Sequence, residues 1–219
     1  MSYFSRRLGL SLIAVMAAAS LSGCGVNTIP TKEEFAKKSW ADVQAAYQRR
    51  ADLIPNLVST VKGYAAQEKS VLVEVTEARA KATAVHVDAA ALSNPAEFQK
   101  FQQAQNNLSG VLGRLMVIQE RYPELKSDQN FMALQSQLEG TENRINIARR
   151  DYNDAAASYN LSLHTFPGVL WAKTLYSAEQ PMQLFTATEQ AQSAPTVNFD
   201  ASPAAAPGSA PGSAPPSKP

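Results

Sequence analysis

The chain has 219 residues, and its 20 Lys and Arg against 19 Asp and Glu leave a formal charge of +1. That near-cancellation supplies no field for holding a polyanion, and no basic block stands out, so nucleic-acid binding through phosphate contacts is excluded. One cysteine excludes an internal disulfide framework.

The N-terminus reads as a processing signal. Arg6 and Arg7 precede an apolar run from Leu8 to Leu21, about 14 residues and short of the ~20 that a membrane-crossing helix needs. The sequence Leu21-Ser22-Gly23-Cys24 follows and resembles a bacterial lipoprotein lipobox. The resemblance implies a diacylglycerol thioether at Cys24, cleavage just before it and acylation of the new N-terminus. Three acyl chains at ~0.8 kcal/mol per buried methylene make such an anchor effectively permanent. Gly25 follows the cysteine in place of aspartate, which by the same resemblance directs the protein to the outer membrane in a Gram-negative cell. Ser5-Arg6-Arg7 lacks the downstream pattern of a twin-arginine signal. Loss of Arg6 and Arg7 takes the formal charge from +1 to −1. The expected organisation is a signal over 1–23, a lipidated linker over 24–30, a helical domain over 31–200 and a tail over 201–219.

Thr31 to Leu163 reads as helix, because apolar residues return every three or four positions and strand alternation is absent. Trp40, Val43, Tyr47 and Ile54 share one face, and Val58, Val61, Ala65, Leu72 and Val75 continue the stripe. Pro55 removes one helical hydrogen bond, which predicts a break or strong kink there, with Asp52 as a nearby capping group. Asn94 reads as an N-cap with Pro95 at the first helical position and Glu97 in the first turn. The next stripe is Phe98, Phe101, Leu108, Leu112, Leu115 and Tyr122, and Pro123 ends it.

Phe131, Leu138, Ile145, Tyr152 and Tyr159 then repeat at seven-residue spacing, with Leu134, Thr141, Ala148, Ala155 and Ser162 between them. This is an a/d seam over about five heptads. Helices with one apolar stripe each must bury it against one another. The expected fold is all-α: an elongated antiparallel up-and-down helical bundle of three long helices plus a shorter N-terminal helical segment. The last 19 residues, Ala201 to Pro219, hold only Ala, Ser, Gly and Pro with one Lys. Such a composition buries nothing to offset its ordering entropy and predicts a disordered tail.

Three stretches carry a family resemblance: "RRADLIPNLVSTVKGYAA" from Arg49, "ENRINIARRDYNDAAASYNLSLHTFP" from Glu142, and "APTVNFD" from Ala194. Together they resemble the LemA family from about Lys32 to Asp200. The resemblance implies a helical bundle with a membrane-anchored N-terminus. It implies no enzymatic activity and no cofactor, and it supplies no catalytic residues. The chain departs from the family in carrying a lipobox where many relatives have an uncleaved transmembrane helix, and in its tail.

A search for chemistry returns little. His86 and His164 have no second ligand at metal-binding spacing. Glu74, Glu77, Arg79 and Lys81 read as an ion-paired solvated face. Arg50 falls on the first apolar stripe, and Asn153 and Asn160 lie one heptad apart beside the seam, where polar groups set register or form a recognition patch. "TFPGVLWAKTL" from Thr165 reads as a segment capping the bundle or meeting a membrane. The expectation is a non-catalytic helical scaffold or adaptor in the cell envelope. It is held to the membrane by lipid at Cys24 and faces the periplasm or exterior, with an envelope protein as partner and no nucleic acid, metal or cofactor. The alternative is a periplasmic bundle binding a small ligand or peptide between helices, supported by polar seam residues such as Gln105 and Gln119.

Overall fold

A computed structural model describes residues 25–186. The expected signal, Cys24 and the Pro/Ala/Gly/Ser tail lie outside the described residues. Among the described residues there are six α-helices and no strand, so the all-α class holds. They are α1 (Thr28–Tyr64), α2 (Lys69–Ala84), α3 (Pro95–Ile118), α4 (Pro123–Lys126), α5 (Gln129–His164) and α6 (Gly168–Thr174), with 3₁₀ turns at Ala90–Ser93 and Gln119–Arg121. None of these helices is long and apolar enough to cross a membrane. The compact unit they form ends at Phe185.

Cross-helix pairs give the directions. Lys32 Nζ donates to the Ser158 carbonyl at 3.3 Å, Arg50 meets Glu142 at 3.1 Å, and the Tyr64 hydroxyl donates to Asp128 at 2.9 Å. Numbers rise on α1 as they fall on α5, so the two long helices run antiparallel. On α2 and α3, Gln105 Nε2 donates to the Ala82 carbonyl, Arg114 meets Glu74, and Arg121 meets Glu68. Those two helices also run antiparallel. Glu74 thus pairs across helices, unlike the solvated same-face pairing expected of it.

The helix count differs from expectation. Two helices, not three, are long, at 37 and 36 residues, and the N-terminal one is the longest. Helix α3 has 24 residues and α2 has 16. The predicted break at Pro55 does not occur: α1 continues through it. Proline at 55 leaves the carbonyl of residue 51 without its usual donor. Arg79 Nε, on α2, donates to the Ala51 carbonyl at 2.8 Å and replaces the missing bond. Asp52 is no cap; it lies inside α1 and accepts from Gln48 at 2.7 Å. The chain turns instead at residues 65–68, where the Glu68 amide donates to the Ala65 carbonyl at 3.0 Å.

Other termini follow the local chemistry. Asn94 Oδ1 accepts from the amides of Ala96 and Glu97 at 3.0 and 3.4 Å, with Pro95 opening α3. Asp128 caps α5 by accepting from the Phe131 amide at 2.8 Å. That bond and the Tyr64 hydroxyl hold the Asp128 carboxyl below its ordinary pKa. Gly168 is required at the turn into α6, because an added Cβ would run into the Ser162 carbonyl.

The buried seam of α5 matches the heptad reading: Phe131, Thr141, Ile145, Ala148, Tyr152, Ala155, Tyr159 and Ser162 are all buried, with Leu134 and Leu138 partly so. The core nonetheless divides in two. An aromatic half gathers Trp40, Tyr47, Phe98, Phe101, Tyr152, Tyr159 and Phe185 with Ile145 and Met182. An aliphatic half gathers Ile54, Leu57, Val61, Leu72, Val75, Leu108, Leu112, Leu115 and Leu125 with Phe131. Helices α1, α3 and α5 contribute to both. Helix α2 supplies only the aliphatic half, and residues 175–185 close the aromatic half in its place.

Candidate functional site: a buried arginine and an asparagine-clamped strap

Arg50 sits where the two halves meet. One turn before it, Tyr47 belongs to the aromatic half; one turn after it, Ile54 belongs to the aliphatic half. The same change occurs on α3 between Phe101 and Leu108, with Gln105 in between. The Arg50 side chain is 3% exposed. A cation so buried needs several acceptors to offset lost hydration. Its Nη1 donates to Ser109 Oγ at 2.7 Å and to Glu142 at 3.1 Å. Its Nη2 donates to Gln105 Oε1 at 2.8 Å and to the Gln105 carbonyl at 3.3 Å. Gln105 in turn donates to the Ala82 carbonyl at the end of α2. One guanidinium therefore ties α1 to α3 and α5, and through Gln105 to α2.

Two further contacts complete the layer. The guanidinium carbon lies 5.0 Å from the Tyr47 ring centre, a cation–π geometry. Burial pushes the Tyr47 hydroxyl above its ordinary pKa, while Arg149 and Arg50 pull it partly back. Arg50 Nε has no hydrogen-bond partner among the described residues. Glu142 is 47% exposed, so the ion pair is desolvated on one side only.

The strap over 175–185 is held by the two asparagines that the sequence singles out. Asn160 donates from Nδ2 to the Met182 carbonyl at 2.8 Å and accepts from the Met182 amide at 2.8 Å. Asn153 repeats the pattern with Phe185, at 3.0 and 2.9 Å. Seven helical residues rise about 10.5 Å, and three residues of extended chain cover about 10 Å. The heptad spacing of the asparagines thus matches a three-residue step along the strap. Each amide side chain takes both backbone groups of one strap residue, as a neighbouring β-strand would.

The remaining strap contacts are further hydrogen bonds and ring packing. The Tyr152 hydroxyl donates to the Gln183 carbonyl at 2.8 Å, the Gln183 amide to the Leu92 carbonyl at 2.9 Å, and the Tyr159 hydroxyl to Glu179 at 3.1 Å. Phe185 stands 4.9 Å from Phe98 and 6.0 Å from Trp40, ring centre to ring centre, and Arg149 lies 4.5 Å from its face. Burial raises the pKa of Tyr152, and burial with the adjacent Glu179 raises that of Tyr159.

The other singled-out residues are not brought together. His86, past the end of α2, and His164, the last residue of α5, are exposed and far apart in the chain. Among the described residues no group of three or more His, Cys, Asp or Glu could hold a metal ion. Arg49 and Arg150 are exposed, and Gln119 lies in a 3₁₀ turn. An open cleft of about 330 Å³ runs between α1, the end of α2 and α3, lined in part by Gln44, Tyr47, Gln48, Thr83, His86 and Gln105. The sequence did not identify Ser109 or Glu142 as partners of Arg50. Their spacing from it has no periodic signature.

Comparison with known proteins supplies relatives by sequence. Magnetosome protein MamQ 2 of Paramagnetospirillum magneticum is 26% identical over 176 residues, 72% of this chain and 64% of that protein. Magnetosome protein MamQ of Magnetospirillum gryphiswaldense is 25% identical over 178 residues, 73% of this chain and 65% of that protein. The chain therefore spans less than two thirds of the length of these relatives. Protein LemA of Metamycoplasma hominis is 27% identical over 124 residues, 57% of this chain and 52% of that protein. Residues 39–199 match the LemA family, a span that takes in α1 from Ser39, the Arg50 layer and the strap: the chain belongs to the LemA family.

Proposed function

We propose that this protein is a lipid-anchored, non-catalytic helical scaffold or adaptor of the cell envelope. One observation carries the reading. The polar groups best placed for chemistry are committed to holding the fold: Arg50 to four acceptors, and Asn153 and Asn160 to the strap backbone. What remains for other molecules is surface. The outer face of the α1–α5 pair presents Asp42, Arg49, Arg144, Asp151 and Ile147, the last 53% exposed. That mixture of charge and exposed aliphatic surface suits a protein partner. The lipobox reading of Cys24 supplies the anchor and the envelope location, with the outer membrane as destination in a Gram-negative cell. Relatives named for the magnetosome are named for a cellular structure and not for a reaction, which fits an adaptor.

Two measurements test it together. Mass spectrometry of the mature N-terminus should find acylated Cys24, and Cys24→Ala should block processing. A photo-crosslinking residue at Ile147, midway along α5, should capture a discrete envelope protein in cells, while one at Glu120, near one end of the bundle, should not. Intact Met1 in purified membranes overturns the anchor, and identical, diffuse crosslinking at both positions overturns the adaptor. The second reading, a ligand bound between helices, has the cleft beside Gln105 in its favour. It requires that Gln44→Leu with Gln48→Leu abolish ligand-dependent thermal stabilisation.

A further inference from the structure

The two ends of the bundle differ in chemistry. One end holds the start of α1, the end of α5, the 165–167 turn and α6. From Leu161 to Tyr176 the sequence carries no Asp or Glu, and its ionisable groups are His164, Lys173 and Tyr176. Residues 25–32 likewise carry no carboxylate, and Glu33 and Glu34, which follow, pair with Lys37. On this end large apolar side chains face solvent: Phe166 is 80% exposed, Leu175 64% and Leu170 52%. The opposite end, around residues 64–72 and 119–130, carries Glu68, Glu120, Glu124 and Asp128, with Arg121, Lys69 and Lys126 paired or near them.

The chain enters at the apolar end. Gly25 lies against the 165–167 turn, where a Cβ added to it would stand 3.0 Å from Pro167 Cγ. Cys24 is the residue covalently attached to Gly25. If Cys24 carries the lipid, the described chain begins one residue from the anchor.

We propose that the apolar end, through Phe166, Leu170 and Leu175, docks into the headgroup region of the same bilayer that holds the acyl chains. This inference rests on the lipid reading of Cys24. Three features fit a lipid surface. Exposed aromatic and leucine side chains gain by leaving water. Lys173, exposed on α6, attracts anionic headgroups, while the neighbouring carboxylates are engaged, Glu33 and Glu34 with Lys37 and Glu179 with the Tyr159 hydroxyl. The one-residue connection fixes this end at the membrane. Docking holds the α1–α5 pair at a set angle to the membrane and turns the acidic end away from it.

The test uses the full-length protein, purified from membranes and reconstituted in phosphatidylethanolamine–phosphatidylglycerol vesicles. The chain has one cysteine, so an environment-sensitive thiol dye reports first on Cys24. Wild type should stay unlabelled, because an acylated sulfur cannot react. Leu170→Cys and Glu120→Cys each add one reactive thiol at an exposed position. A surface-lying segment sits about 5–10 Å into the interface, so dye at Leu170→Cys should be quenched roughly twofold or more by spin-labelled phospholipid, and dye at Glu120→Cys should not. Adding Phe166→Ser and Leu175→Ser to Leu170→Cys should remove that quenching while leaving the protein in the vesicle. Unlabelled wild type with no quenching at Leu170→Cys overturns the docking and leaves the lipid anchor standing. Labelled wild type overturns the anchor and the docking with it.

Discussion

The aromatic and aliphatic halves of the core are built on the same three helices and closed by different means. In the aliphatic half the fourth wall is α2, a regular helix whose stripe of Leu72, Val75, Ala78 and Ala82 is buried. In the aromatic half α2 has already ended, and an irregular strap takes its place. A helix satisfies its own backbone and needs only an apolar stripe. A strap does not, so its amides and carbonyls must find partners on the wall it covers. Asn153, Asn160 and Tyr152 meet that demand, together with the Leu92 carbonyl. Trp40, Phe98, Tyr152 and Phe185 pack ring against ring in this half.

Polar insertion should separate the halves from their surfaces most sharply. Ile145→Asp in the aromatic half and Leu57→Asp in the aliphatic half each place a carboxylate where exposure is 1% or less. Burying an unpaired charge costs several kcal/mol, comparable with the whole stability of a typical domain. Asn143→Asp, on an exposed position, should change the melting temperature little. Circular dichroism melts give the ranking. Parent-like melting of Ile145→Asp would mean that the seam is not core.

The boundary comes next. Arg50→Ala leaves the buried Gln105 oxygen without its donor and opens a cavity, and should cost about 3–5 kcal/mol, while the half-exposed Glu142 regains water. The double change Arg50→Met with Gln105→Leu removes both sides of the polar layer and should recover much of that loss. Urea titrations measure both. Failure of the double variant to recover would show that Ser109 and Glu142 depend on the guanidinium for more than its charge.

Each strap clamp is smaller. Asn153→Ala or Asn160→Ala leaves one amide and one carbonyl of the strap without partners, an expected loss of about 1–3 kcal/mol. Limited proteolysis should then cut within 175–185 before it cuts any helix.

Alkaline pH should discriminate between the halves with the smallest effect. Tyr47, Tyr152 and Tyr159, all in the aromatic half, have pKa values raised chiefly by burial from the ordinary 10.0. The unfolded chain releases these protons near pH 10 while the folded chain keeps them. Their contribution is therefore complete below pH 10 and drains away as pH rises above it. Melting temperature should be flat in this respect from neutral pH to about 10 and fall beyond. A fall centred well below pH 10 would implicate other groups.

What the sequence discloses divides along the same line. The α5 seam was readable because a heptad repeat of Ile145, Tyr152 and Tyr159 survives any change of neighbour. The Asn94 cap was readable because capping is local. Pro55 misled, since the bond that restores the helix comes from Arg79, 24 residues further on, and only folding reveals it. The turn at 65–68 was invisible, because Ala-Ala-Gln-Glu carries no glycine or proline. Arg50 stood out as a charge on an apolar stripe, and Asn153 and Asn160 as a polar pair at heptad spacing. Their positions stood out, yet neither the choice between setting register and forming a recognition patch nor their partners were legible: side chains that bind backbone leave no residue-type signature in the segment they bind. LemA membership was legible from contiguous motifs, which need no three-dimensional pairing to be recognised.

The most direct test of the divided core is hydrogen exchange in the double variant Asn153→Ala with Asn160→Ala. The Gln183 amide and the Trp40 indole N–H, bonded to the Leu92 and Val87 carbonyls, report on the aromatic half without touching either mutated side chain. The amides of Val111 and Leu115 report on the aliphatic half. If the strap is the fourth wall of the aromatic half alone, Gln183 and Trp40 lose protection while Val111 and Leu115 keep theirs. Equal loss at all four sites, or no loss at Gln183 and Trp40, would contradict a core built as two separately closed halves.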